Sequence, residues 1–174
     1  KVASLMYHEV LPDSSPVPAW TVLKESDFHI QMEYLKKSFK VLSIDEAMEV
    51  KRSSKNYNDC FALVTFDDGY RGNRNSALPI LENLELPGVF YFATGAIQSG
   101  ELYWYDKIIL ACVFTELNEI SIDRKQAYVL ERNSDAEEQT WNVIESLLTD
   151  LKKFEPEERG RKVELLLSDS GVDL

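Results

Sequence analysis

The chain has 174 residues, of which 44% are hydrophobic and 28% are charged, and its net charge at pH 7 is −11. This length and composition predict a globular chain of single-domain size with a buried apolar core. The acidic balance argues against binding to nucleic acid or anionic lipid, since both need clustered Lys and Arg. No apolar run approaches the roughly 20 residues of a membrane span.

The first hundred residues alternate between predicted strands and predicted helices. Short apolar runs bounded by turn residues indicate strands, and apolar residues at helical spacing indicate helices. Residues 11–21 contain three prolines and are predicted to form a loop. This succession predicts parallel strands joined by helical crossovers. The predicted strands are 2–7, 41–44, 60–66 and 89–94, and the predicted helices are 26–39, 45–52 and 75–84.

Beyond residue 100 the pattern becomes mainly helical. Ser134 and Glu137 have the spacing of a capping box, as do Ser43 and Glu46 earlier in the chain. Gly171 is expected to end the last helix. The predicted elements are helices at 106–114, 135–152 and 156–168, with a hairpin-like pair of strands within 119–132.

The strand predicted at 60–66 ends in two adjacent carboxylates, Asp67 and Asp68, followed by Gly69. Glycine allows the chain to turn at once, and ligands gather at the carboxyl ends of parallel strands. Two neighbouring acids repel each other unless a cation or a shared proton relieves the repulsion. The residues alone leave two interpretations open. One is a metal-binding carboxylate beside a general base, and the other is a solvated turn.

Three stretches of the sequence carry a family resemblance. Residues 65–70 read Thr-Phe-Asp-Asp-Gly-Tyr, residues 5–10 read Leu-Met-Tyr-His-Glu-Val, and residues 87–95 read Pro-Gly-Val-Phe-Tyr-Phe-Ala-Thr-Gly. In this order and spacing they resemble the NodB-type polysaccharide deacetylases, carbohydrate esterase family 4. The resemblance implies an α/β fold, a distorted parallel β/α barrel that is incomplete in this chain. Residues 1–100 would be its N-terminal part, and residues 101–174 a mainly helical insertion or subdomain after the fourth strand.

The resemblance also implies separate roles for the two acids. Asp68 would bind a divalent metal, with zinc as the expected ion, and Asp67 would be the general base. A bound metal ion lowers the pKa of its water and polarises a carbonyl group. A carboxylate held off the metal can then accept the proton of that water.

The second motif of the family, His-Ser/Thr-x-x-His, supplies two further metal ligands. This sequence contains only two histidines, His8 and His29, and lacks the motif. Two explanations stay open: the chain is the N-terminal part of a longer deacetylase, or it is a degenerate protein that has lost the second half. The first is favoured, because Asp67 and Asp68 would have little reason to stay paired without a cation.

Four further residues are candidates for substrate binding. His8 lies at the end of the first predicted strand, where it could contact substrate or position the strand end. Tyr70 and Arg71 follow the acid pair and could line a cleft; Arg71 could instead form a charged hydrogen bond with Asp67. Trp104, between two tyrosines, could stack on a sugar ring or pack the insertion.

Together these features predict a metal-dependent hydrolase that removes N-acetyl or O-acetyl groups from a polysaccharide or glycan. The alternative is a non-catalytic carbohydrate-binding or interaction domain on a truncated or degenerate deacetylase scaffold. A nucleotide hydrolase is excluded, because none of the seven glycines is followed by lysine, as a phosphate-binding loop requires. We expect little or no activity from the 174-residue chain alone. The sequence predicts neither localisation nor oligomeric state.

Overall fold

A computed structural model of the chain describes residues 2–17, 19, 21–53, 59–123, 126–131 and 136–173. The chain divides into two compact units, Lys1–Ser99 and Gly100–Leu174. Within the described ranges, no helix combines the length and the apolar character needed to cross a membrane.

The N-terminal unit is built on a parallel sheet whose central strand is β5. One edge of β5 pairs with β1 along its whole length. Two short strands share its other edge. One of these, β4, pairs with the start of β5, and the other, β6, pairs with its end. The predicted α/β fold with a parallel sheet is therefore confirmed. The strands are β1 (Val2–Tyr7), β4 (Lys40–Val41), β5 (Phe61–Phe66) and β6 (Val89–Phe90).

A second, two-stranded parallel pair was not predicted from the sequence. It consists of β2 (Glu9–Leu11) and β3 (Val22–Lys24), which flank most of the proline-containing loop. Each strand has only three residues, too few for an alternating pattern to show. Val10 of β2 is nevertheless fully buried, so this pair belongs to the core.

Three helices of this unit bury apolar residues in its core, and the short helix at residues 94–99 buries none. In the first helix the buried residues are Phe28, Met32 and Leu35, which recur at helical spacing. The capping box before the second helix is confirmed, since Ser43 accepts a hydrogen bond from Glu46 N and its own N–H donates to the Glu46 carboxylate. The helices are α1 (Glu25–Ser38), α2 (Ile44–Arg52), α3 (Leu78–Asn83) and α4 (Thr94–Ser99).

Four aromatic rings pack beneath the end of the central strand. The Phe66 ring stacks on Phe90 with centroids 4.6 Å apart, and it also contacts Tyr7 at 5.6 Å and Phe28 at 5.7 Å. Burying one such ring stabilises the fold by about 1.5–3 kcal/mol. The backbone that leaves β5 at Phe66 therefore starts from a fixed position.

Three predicted elements were partly wrong. The strand predicted at 89–94 ends at Phe90, and Thr94 already begins α4. The strand predicted at 41–44 ends at Val41, because Ser43 caps a helix. The helix predicted at 75–84 begins with a π-helical turn, Asn73–Ala77, before α3. Pro79 has no N–H to donate, so regular α-helical hydrogen bonding cannot run through this stretch.

The C-terminal unit is mainly helical, with one hairpin. The predicted hairpin is confirmed as an antiparallel pair, and Gly171 ends the last helix with a positive φ of 70°. The predicted capping box at Ser134 and Glu137 lies outside the described residues and side chains. The elements are α5 (Trp104–Phe114), β7 (Glu119–Ser121), β8 (Ala127–Val129), α6 (Ala136–Leu151) and α7 (Pro156–Ser170).

Candidate active site at the end of the central strand

Three neighbouring strands of the N-terminal unit end in the same row. Tyr7, Phe66 and Phe90 are register partners across β1, β5 and β6. The ladder continues one step further, because Asp67 N donates to Tyr7 O at 2.9 Å and Tyr91 N donates to Phe66 O at 2.8 Å. Adjacent strands lie roughly 4.8 Å apart. His8 and Asp67 are therefore close together at the carboxyl edge of the sheet, as the sequence predicts.

Asp68 adopts an unusual backbone conformation. Its φ is +69°, and the N–H of Gly69 donates to Asp67 O at 2.9 Å, which closes a three-residue γ-turn around Asp68. Such turns with positive φ are rare and strained, and a left-handed residue other than glycine costs about 1–2 kcal/mol, somewhat less for Asp. Strain of this kind is concentrated at functional sites. The turn therefore favours a functional acid pair over a simple solvated turn.

Gly69 is required at its position for two reasons. Its φ is +74°, which favours glycine. A β-carbon on Gly69 would also lie 2.7 Å from Cδ1 of Phe92, so the Phe92 ring covers this side of the backbone. The predicted need for glycine directly after the acid pair is thus confirmed by both conformation and space.

Glu9, Gly72 and Asn73 were not identified from the sequence, and they lie next to the acid pair. The N–H of Gly72 donates to Glu9 Oε1 at 3.3 Å, and Asn73 Nδ2 donates to His8 O at 2.6 Å. Burial raises the pKa of the Glu9 carboxyl above its ordinary value, and the Gly72 hydrogen bond partly opposes this shift. In the sequence, the feature that could have identified Glu9 as a site residue was its position inside the motif at residues 5–10.

Tyr70 and Arg71 continue the loop after the acid pair. Tyr70 is partly buried, and its carbonyl accepts a hydrogen bond from Asn73 N at 3.2 Å. Arg71 is exposed and, within the described part of the chain, forms no ion pair with Asp67. The substrate-binding roles of both residues and of His8 stay predictions.

Trp104 belongs to the C-terminal unit, where it begins α5. The guanidinium carbon of Arg159 lies 4.7 Å from the centroid of the Trp104 ring, and the Tyr105 ring contacts it edge-on at 5.8 Å. A cation over the ring face is itself a stabilising contact. These contacts give Trp104 a packing role, and sugar stacking stays a prediction.

A catalytic zinc site normally has three protein ligands. Among the described residues, no three His, Cys, Asp or Glu side chains are grouped so that they could hold a metal ion. Asp68 offers a suitable carboxylate oxygen, but a single carboxylate is not a site. The described residues therefore do not by themselves fit a complete zinc centre.

Comparison with known proteins gives structural matches only. No protein-family model and no curated protein matches the sequence. IcaB from Ammonifex degensii is 19% identical, with a TM-score of 0.51 over 99% of this chain and 82% of that chain. The Streptococcus pyogenes deacetylase PplD, in complex with acetate, is 19% identical, with a TM-score of 0.49 over 80% of this chain and 69% of that chain.

A third match is a de-N-acetylase from Aggregatibacter actinomycetemcomitans, 18% identical with a TM-score of 0.46. The match covers 86% of this chain and 51% of the de-N-acetylase chain. Of these three matches, the one to IcaB has a TM-score above 0.5, and at 19% identity it shows a shared fold alone. The chain therefore shares the fold of IcaB, which agrees with the family resemblance of its three sequence motifs.

Proposed function

We propose that this chain contributes the acid pair of a metal-dependent hydrolase that removes acetyl groups from a polysaccharide or glycan. The observation that carries the proposal is the position of Asp67 and Asp68 at the carboxyl edge of the central parallel strand. In β/α proteins, catalytic groups lie at this edge. We also propose that the sheet is part of a distorted β/α barrel.

In this proposal the two acids have different tasks. Asp67 is the general base, which accepts a proton from the water that attacks the acetyl carbonyl. Asp68 gives one carboxylate oxygen to a divalent cation, with zinc as the expected ion; such an ion, when bound, lowers the pKa of water and polarises the carbonyl. The γ-turn supports a functional role for the acid pair, because backbone strain of this kind is concentrated at functional sites.

The substrate in this proposal is an acetylated polysaccharide with an N-acetyl amide or an O-acetyl ester. His8, at the end of β1, and the loop residues Tyr70 and Arg71 are adjacent to the acid pair along the sheet edge or the chain. They are the groups we propose to contact the sugar. For Trp104, in the C-terminal unit, sugar stacking is a separate proposal.

A second candidate function is a non-catalytic carbohydrate-binding or interaction domain. It is favoured by the lack of a three-ligand group among the described residues. In that case the acid pair would bind substrate hydroxyls or a weakly held cation, and the fold would be retained without its reaction.

One assay distinguishes the two candidate functions. The longest natural chain that contains this sequence would be supplied with zinc or cobalt, and acetate release from chitin oligomers and peptidoglycan fragments would be measured. Asp67→Asn should lower kcat by about 10²–10⁴-fold, the usual contribution of a general base. Asp27→Asn, an exposed acid on α1, is the matched control and should leave kcat unchanged. No acetate release from either substrate would contradict the enzymatic proposal.

Metal binding by the 174-residue chain is a separate test. Calorimetric titration with zinc should show weak binding, and Asp68→Asn should weaken it further, because only one of the usual three ligands is proposed here. A tight one-to-one zinc site on this chain, unaffected by Asp68→Asn, would contradict the role of Asp68.

A further inference from the structure

We propose that Glu9 and Asn73 are positioning residues that hold the acid-pair loop, residues 67–73, against the segment that follows strand β1. The catalytic consequence rests on the proposed function. The positioning itself can be measured in this chain without any reaction.

The two ends of the acid-pair loop form hydrogen bonds with three consecutive residues, 7–9. At the first end, Asp67 N donates to Tyr7 O at 2.9 Å. At the other end, Asn73 Nδ2 donates to His8 O at 2.6 Å and Gly72 N donates to Glu9 Oε1 at 3.3 Å. The loop is therefore closed at both ends onto residues that belong to the motif at 5–10, which gives a physical reason for the two motifs to occur together.

Gly72 lies so close to strand β2 that its position has no space for a side chain. A β-carbon on Gly72 would lie 2.4 Å from Val10 O and 2.8 Å from Glu9 Cγ. The Val10 carbonyl cannot easily move, because Val10 is fully buried and lies in β2 opposite Leu23. Glycine at residue 72 thus allows the loop backbone to lie directly on β2.

The Glu9 carboxylate satisfies a donor that the helix itself leaves open. Gly72 is in the first turn of a helical segment, where N–H groups have no partner within the helix. A negative charge at this end also interacts favourably with the helix dipole, which partly offsets the cost of burying the ionised carboxylate. Glu9 is partly buried, so the contact is less screened by water than a surface pair would be.

Asn73 is almost completely buried, with 2% of its surface exposed, and only one half of its amide is used. Its Oδ1 is buried without a hydrogen-bond partner, while its Nδ2 bonds to His8 O. A buried acceptor without a partner is unfavourable. The hydrogen bond to His8 O is therefore the interaction that explains an amide side chain at residue 73. It requires that Asn73 Nδ2 faces the His8 carbonyl.

Fixing this loop fixes the direction of the proposed general base. A displacement of about 1 Å at a reacting group can lower a rate by about 100-fold. Neither Glu9 nor Asn73 is proposed to touch the substrate, so their effect would be on kcat and not on KM. This distinguishes them from His8, Tyr70 and Arg71.

The test uses amide NMR and hydrogen exchange on the 174-residue chain. Glu9→Ala should speed exchange of the Gly72 amide about tenfold or more and shift the Gly69 amide signal, with the start of β5 at Ala62 unchanged. Glu9→Gln keeps an oxygen acceptor and should restore most of the protection. Asn73→Ala should shift the same signals. Glu82→Ala, an exposed glutamate on α3, is the matched control and should leave the Gly72 and Gly69 amides unchanged.

Two results would overturn the inference. One is a Glu9→Ala chain whose Gly72 and Gly69 amides behave as in the wild type. The other is a uniform loss of protection through β5, which would show a general structural role. In an active longer chain, Glu9→Ala should lower kcat with KM unchanged. If no chain releases acetate, the proposed function fails, while the NMR result still decides the positioning.

Discussion

Replacing Gly72 by alanine should destabilise the N-terminal unit, although alanine usually suits this backbone better. Gly72 has helical angles, φ −56° and ψ −34°, at which any residue is allowed. In such a conformation Gly→Ala stabilises a protein by about 0.4–1 kcal/mol, mainly by restricting the unfolded chain. The outcome therefore depends on whether the new methyl group has space.

The structure leaves no space for that methyl group. It would lie 2.4 Å from Val10 O, 2.8 Å from Glu9 Cγ and 2.9 Å from Glu9 Oε1. Overpacking of this kind costs about 1–3 kcal/mol, and weakening the Gly72–Glu9 hydrogen bond costs about 1 kcal/mol more. The clash exceeds the entropic gain, so we expect a net loss of about 1–3 kcal/mol.

Amide hydrogen exchange of the β5 residues would measure the unfolding free energy of this unit separately from the C-terminal unit. Gly95→Ala is the matched control, because a β-carbon there meets nothing within 4 Å and its φ is not positive. That variant should be as stable as the wild type or slightly more stable. If Gly72→Ala matched Gly95→Ala in stability, the close packing of the acid-pair loop on β2 would be refuted.

Three further predictions follow from single residues. Asp68→Gly should stabilise the N-terminal unit by about 1 kcal/mol in a chemical denaturation assay, because it relieves the positive φ of 69°. Asp68→Ala should give no such gain in that assay. Burial raises the pKa of Glu9 above 4.5, so the stability that its protonated form contributes is present below that pH and is lost as pH rises through the folded-state pKa. Glu9→Gln should therefore gain stability relative to the wild type between about pH 4 and pH 7, as denaturation at both pH values would show. Tyr128→Phe removes the hydrogen bond from the Tyr128 hydroxyl to Asp150 Oδ2, 2.5 Å long, and should destabilise the C-terminal unit by about 1 kcal/mol. Burial raises the pKa of Tyr128 above 10.0, so the wild type should lose this advantage only above that pH, and equal exchange rates in α6 at neutral pH would contradict the prediction.

The sequence by itself determined the alternation of the main strands and helices and the position of the acid pair. Both are local properties. The apolar run before Asp67 and the glycine after Asp68 mark a strand end and a turn wherever they occur. The spacing of Ser43 and Glu46 likewise specifies a helix start, because its hydrogen bonds join residues only three positions apart.

Only the tertiary structure decided how the acid-pair loop is held. The contacts from Gly72 and Asn73 reach Glu9 and His8, more than 60 positions earlier in the chain. No periodicity records such a contact, because it depends on β1 and β5 being neighbours in the sheet. The steric requirement for glycine at residue 72 depends on the same packing, because the atoms that leave no space for a side chain belong to Glu9 and Val10. The sequence therefore specified where the acid pair lies, and the fold determined which distant groups hold its loop.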